Sequence, residues 1–168
     1  LYCSDVGPVI DGDARVSLES HLSALAKTAE FVSRTPLRDS AHSGHFVAPS
    51  AHVIPSIKEL KTEHFGPVLH IVRYTAEKLD QVIDEINATG YGLTLGIHSR
   101  SESKAAYIER RVKVGNTYVN RNQIGAVVGV RPFGGRGLSG TGPKAGGPHY
   151  LLRFATERTR TVNTTAVG

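Results

Sequence analysis

The residues best suited to hold a nucleotide stand together at Glu63-His64-Phe65-Gly66-Pro67. A carboxylate at 63 can accept two hydrogen bonds from a ribose diol. A ring two residues later can cover a flat heterocycle. Gly66 and Pro67 set the turn just before an apolar run, residues 68–74. The residues alone favour the plainer reading, an exposed acid beside a phenylalanine that plugs the core. A second stretch, residues 115–147, holds ten of the chain's eighteen glycines. That density does not build a helix or strand; it suits backbone that turns sharply or comes close to something else. Phe133 sits inside it, after Pro132 and before Gly134-Gly135, so one ring can be aimed into a pocket by a backbone with little freedom on the proline side. A long surface loop accounts for the same composition equally well.

Other motifs fail on context. Gly135-Arg136-Gly137-Leu138-Ser139-Gly140 matches the spacing of a dinucleotide fingerprint, but that motif works only after a strand and at the start of a helix. Here Pro132 precedes it and Thr141-Gly142-Pro143 follows. Gly142-Pro143-Lys144 lacks the run of a phosphate loop. Ser139 is not on a nucleophile elbow, because Thr141 stands where that motif needs glycine. Cys3 lies among polar residues at the chain end and reads as structural or incidental. The eight histidines are dispersed and none pair at metal-ligand spacing, so no metal is expected. His70, within an apolar run, reads as a satisfied core histidine.

With 168 residues, 39% hydrophobic and 21% charged, the composition is that of one ordinary globular domain. No apolar run approaches the roughly 20 residues of a membrane-spanning helix. A single cysteine excludes an internal disulfide and fits a reducing compartment. The net charge of +5 is scattered, so nucleic acid is not an expected partner. The opening Leu1-Tyr2-Cys3 and the lack of methionine suggest a piece of something longer.

The elements that must position these residues follow from capping and periodicity. Asp11 caps a helix from 12 or 13 to about 28, with Val16, Leu18, His21, Leu22, Leu25 and Ala26 at helical spacing. Residues 30–33 read as a short strand and 35–44 as a polar loop. Residues 46–54 are β-like, restricted to an edge or irregular path by Pro49 and Pro55, and 60–64 suit a single turn. Residues 68–74 are the clearest buried strand. Thr75 caps a helix through about 87, with Leu79, Val82, Ile83 and Ile86 on one face, and Gly90 stops it. A strand over 91–98 follows. Ser99 or Ser101 caps a helix to about 112, stopped by Gly115, and 116–120 form another strand. This order predicts two β-α-β units and an α/β fold with an open, mostly parallel sheet. Residues 147–155 suit a short helix, and the alternating 157–164 a polar strand needing a partner, which another subunit could supply.

Glu63-x-Phe65-Gly66-Pro67, Gly115-Asn116-x-Tyr118-Val119-Asn120 and Pro132-Phe133-Gly134-Gly135 with Ser139-Gly140 have the order and spacing of the aldehyde dehydrogenase superfamily, which the chain resembles along essentially its whole length. The run from Ser139 to Tyr150 is similar to the L-glutamate γ-semialdehyde (pyrroline-5-carboxylate) dehydrogenase branch. Residues 5–11 and 161–168 resemble the C-terminal part of the bacterial bifunctional proline utilization A enzymes.

The resemblance implies a division into a partial catalytic domain, 1–145, and a C-terminal helix with an oligomerisation-flap strand, 146–168. It implies NAD as cofactor, with FAD only in a separate proline dehydrogenase domain of a bifunctional parent. In the family a cysteine thiolate attacks the aldehyde, hydride passes to NAD and water hydrolyses the thioester. The nucleophile, the general-base glutamate and the Rossmann domain would lie upstream, and Cys3 does not match the nucleophile motif. Glu63 would hold the nicotinamide ribose and Phe65 would pack beside the nicotinamide end. Phe133 would be one wall of an aromatic box around the substrate's aliphatic chain. Ile124-Gly125-Ala126 would anchor the substrate's α-carboxylate through backbone N–H groups. The implied partners are a small aldehyde, the rest of the parent chain and further copies through the C-terminal strand. The implied location is the bacterial cytoplasm, with peripheral attachment of a full-length parent to the inner membrane left open. Two alternatives stand beside this: an aldehyde dehydrogenase for another substrate, and a non-catalytic assembly module.

Overall fold

The computed structural model describes residues 6–37 and 44–166. It divides into two compact units between Glu85 and Ile86. Cys3 and most of the expected polar loop fall outside the described residues.

In the first unit, helix α1 (Gly12–Thr28) starts where Asp11 accepts a hydrogen bond from the Ala14 N–H at 2.8 Å, satisfying one of the donors that every helix start leaves open. Of its apolar stripe, Leu18 and Leu25 are buried, whereas Val16 and Ala26 are exposed. Strands β1 (Glu30–Arg34), β2 (Ser50–Val53) and β3 (Val68–Ile71) form one sheet in that order, β1–β2 antiparallel and β2–β3 parallel. β2 is therefore the central strand, not the edge that its prolines suggested. Pro49 and Pro55 lie just outside the paired residues, so neither removes a ladder donor. The expected turn over 60–64 is instead a 3-10 turn at Ile57–Glu59, capped by Ser56. β3 is shorter and less buried than its apolar run implies, since Leu69 is 60% exposed. A 3-10 turn, Ala76–Lys78, leads into α2 (Leu79–Ala88), whose Ile83 is fully buried. Thr75 makes no side-chain cap there.

In the second unit the expected strand over 91–98 is two pieces, β4 (Tyr91–Gly92) and β5 (Thr94–Ile97). Helix α3 (Glu102–Arg111) is capped by Ser101, which accepts from the Lys104 N–H. β6 (Asn116–Val119) pairs in parallel with β5, so β5-α3-β6 is the expected β-α-β unit. β3 and β5 lie in different sheets, so the run does not give one continuous parallel sheet. β7 (Arg136–Gly137) pairs antiparallel with β4. The fingerprint-like glycines thus form a tight turn that no helix follows, and Ser139 Oγ accepts from the Gly92 N–H at 3.0 Å. Residues 147–155 hold only a 3-10 turn, Leu151–Phe154. Residues 155–163 are exposed and form no strand, because nothing among the described residues pairs with them. No helix among the described residues is long and apolar enough to cross a membrane.

Gly115 does not end α3, which closes at Val112. Its hydrogen-only side faces backbone: a Cβ there would overlap the carbonyl oxygen of Gly134. Neither backbone can yield without breaking its own hydrogen bonds. Gly115→Ala is expected to destabilise the chain by about 2–3 kcal/mol in chemical denaturation. Gly7→Ala, where a Cβ meets nothing within 4 Å, should stay within about 0.5 kcal/mol. Equal effects would refute the close-approach role.

Candidate functional site

The Glu63–Pro67 segment is held from two sides. Leu18 of α1 covers the Gly66 backbone so closely that a Cβ at 66 would overlap its methyl carbons. The Ser50 N–H donates to the Pro67 carbonyl at 3.0 Å, tying the turn to β2. Two side chains are left projecting. Phe65 is 77% exposed, so it is not a core plug. Glu63 is exposed and has no hydrogen bond or ion pair among the described residues. An unpartnered carboxylate beside an exposed ring fits a ribose diol and a flat heterocycle. A groove of about 450 Å³ nearby, bordered by Pro49, Ser50, Pro67 and Leu69, includes neither Glu63 nor Phe65.

Between them stands His64, which belongs to a cluster that linear reading missed. His21 of α1 stacks on His64, with ring centroids 3.7 Å apart and planes inclined by 17°. The Nε2 atoms of His21 and His70 are 2.8 Å apart in a hydrogen bond. His70 is thus satisfied, but by another histidine 49 residues away rather than by the core. The available signal was His21 itself, a titratable ring in the apolar stripe of α1. No group of histidine, cysteine or acidic residues among the described residues is arranged to hold a metal.

Burial, reinforced by His64, His70 and His52, lowers the His21 pKa from 6.5 to about 4. Burial likewise lowers His70, with His64 and His52 adding to it. It also lowers His52, with Arg34 adding to it.

The second unit carries the other expected residues. Asn116 Nδ2 donates to the Pro132 carbonyl at 2.9 Å. Its Oδ1 accepts from the Gly134 N–H and from Lys144 Nζ, both at 3.2 Å. Lys144 Nζ also donates to the Gly115 carbonyl. Phe133 exchanges backbone hydrogen bonds with Ala145, at 3.0 and 2.8 Å. The half-buried ring of Phe133 is therefore fixed at its backbone on both sides, which a free surface loop would not be.

The loop carrying Ile124, Gly125 and Ala126 is anchored at its flanks. Asn120, at a φ of 53°, exchanges two hydrogen bonds with the Ser99 backbone. Gln123 lies against Gly96 and pairs with Thr94. Arg121 packs over the Tyr118 ring and donates to the Ile124 carbonyl at 3.0 Å. Gly125 has a φ of 101°, a conformation that side chains rarely adopt. Ile124, Gly125 and Ala126 are all exposed.

The chain is similar to known proteins along most of its length. A model described as the aldehyde dehydrogenase family matches residues 3–160. The bifunctional protein PutA of Rhizobium meliloti is 49% identical over 156 residues, covering 93% of this chain and 13% of that protein. A solved variant of proline utilization A from Bradyrhizobium japonicum superposes with a TM-score of 0.92 at 54% identity, covering 98% of this chain and 16% of that one. The 1-pyrroline-5-carboxylate dehydrogenase from Thermus, solved with bound NAD, gives a TM-score of 0.78 at 35% identity, over 89% of this chain and 29% of that one. The chain therefore spans less than a third of each of these relatives.

The histidine cluster has a stability consequence. Because the folded pKa of His21 lies below the unfolded value, the unfolded chain binds more protons as pH falls. Its contribution to stability is complete above about 6.5 and is lost progressively towards about 4. Urea midpoints across that window should fall, and should fall less steeply in His21→Asn. Parallel profiles for the two proteins would exclude the cluster as the cause.

Proposed function

This chain belongs to the aldehyde dehydrogenase family, and from that premise we propose that it is the later part of an NAD-dependent dehydrogenase oxidising L-glutamate γ-semialdehyde to L-glutamate in proline catabolism. The observation that supports this most is the state of the two substrate-end segments in one unit: a loop with glycine at positive φ and a phenylalanine whose flanking backbone is clamped by Asn116. Within this reading residues 1–145 belong to the catalytic domain and 146–168 to an oligomerisation tail.

NAD, when bound, supplies a hydride acceptor. The Glu63 carboxylate would accept hydrogen bonds from its ribose, and Phe65 would cover the nicotinamide end. Phe133 would contact the aliphatic chain of the aldehyde. The backbone N–H groups of Gly125 and Ala126 would donate to the α-carboxylate and hold the aldehyde end at a set distance from the thiol. That thiol and its general base come from outside these residues, so the chain alone is inactive. The tail fits assembly: Leu151, Leu152 and Phe154 are exposed, and the segment after them has no strand partner among the described residues. A second copy would supply both a surface and an edge.

The test is kinetic, in the full-length enzyme. Gly125→Val forces a side chain into a φ that costs about 1–3 kcal/mol and displaces the carboxylate. Losing one charge-assisted hydrogen bond costs roughly 1.5–3 kcal/mol, or about ten- to a hundred-fold in kcat/KM. That loss should appear with glutamate semialdehyde and be much smaller with acetaldehyde. Phe133→Ala should weaken both aldehydes, since the ring contacts the chain they share. Equal losses in Gly125→Val would remove the carboxylate role, and a wild-type preference for acetaldehyde would remove the substrate assignment.

A further inference from the structure

We propose that the guanidinium of Arg131 is the charged partner of the substrate's α-carboxylate at the Gly125 loop, with Arg121 as the positioning residue that holds that loop. This rests on the carboxylate-anchor reading and adds to it a side chain that backbone donors alone do not require. Both guanidinium groups converge on one glycine: the position a Cβ would take at Gly125 is 3.8 Å from Arg121 Nη2, 3.8 Å from Arg131 Nη1 and 4.0 Å from Arg131 Nη2.

The two arginines differ in what occupies them. Arg121 is committed: it donates to the Asn122 and Ile124 carbonyls and to Asn122 Oδ1, and it packs over Tyr118. Arg131 has no hydrogen bond or ion pair from its guanidinium among the described residues, and its Nε is buried without a partner. A buried, unpaired donor on a permanently charged group is costly. Two cations facing one glycine, with no ion pair to either among the described residues, also repel. An anion on that side of Gly125 offsets the repulsion and accepts from the Nη atoms that face it, and a carboxylate matches the planar fork of one guanidinium.

The backbone delivers Arg131 to this place. Val127 and Arg131 exchange backbone hydrogen bonds at 3.1 and 2.7 Å, closing a tight turn. Its tip is pinned by the Gly129 N–H donating to the Gly146 carbonyl at 2.8 Å. The turn folds Arg131 back alongside the loop six residues before it.

The experiment is steady-state kinetics on the full-length enzyme with Arg131→Gln and Arg131→Lys. Arg131→Gln should lower kcat/KM for glutamate semialdehyde by about ten-fold or more, chiefly through KM, as loss of a charge-assisted pair implies. Propionaldehyde should change by less than about two-fold, on the scale of an ordinary surface change. Arg131→Lys, which keeps the charge but not the fork, should fall between. The KM for glutamate semialdehyde should rise with salt in the wild type and less so in Arg131→Gln. Equal losses for both aldehydes, no loss, or a raised KM for NAD instead would overturn the proposal. If Gly125→Val is selective and Arg131→Gln is not, the arginine role fails while the anchor loop stands. If neither is selective, the anchor reading itself fails.

Discussion

The Asn116 side chain ties β6 to the Pro132–Gly134 backbone and to the Lys144 ammonium, and the placement of Phe133 depends on it. Its amide donates to Pro132, accepts from Gly134 and accepts from Lys144. No shorter polar side chain offers a donor and a two-fold acceptor at that reach. Because Asn116 opens β6, the strand that pairs with β5, the clamp transmits a rigid sheet position to segments with no regular structure. Gly115 makes room for the approach and Lys144 closes it. Chain rich in glycine would otherwise be conformationally diverse. Here it is tied at its middle, and Phe133 inherits a fixed backbone.

The earlier unit solves a related problem by packing rather than by a polar clamp. Leu18 reaches from α1 onto Gly66, and the Pro67 carbonyl is tied to Ser50. The side chains left projecting, Glu63 and Phe65, gain nothing from the fold that holds them, which is how a site differs from a core. The histidine cluster lies under the same turn, with His64 between the two. In both units the candidate residues sit on irregular backbone whose ends are secured by a helix or a parallel pair.

The helices were legible because their signals are local. Asp11 and Ser101 cap where their side chains suggest, and Leu79, Val82, Ile83 and Ile86 line one face of α2, buried or half-buried. Pairing was less legible. The prolines around β2 bound its ladder without forbidding neighbours, so the strand is central. The polar strand expected near the C-terminus has no partner in the described chain, and alternation alone cannot supply one. At the candidate sites the motif residues could be named in advance, while their surroundings could not. His21 meets His70 across 49 residues, and Arg131 reaches Gly125 only through the turn closed by Val127. Contacts of that kind depend on register and on φ, which residue type leaves open. Gly115 shows the same limit, since a helix stop and a close backbone approach both ask for glycine.

The most direct measurement is a crystal structure of the full-length enzyme with bound L-glutamate, the proposed product. The account predicts the α-carboxylate within hydrogen-bond distance of the Gly125 and Ala126 N–H groups and of the Arg131 guanidinium. It also predicts the Phe133 ring along the aliphatic chain, with the Asn116 hydrogen bonds intact. Glutamate bound elsewhere, or with its α-carboxylate turned away from this loop, would contradict it.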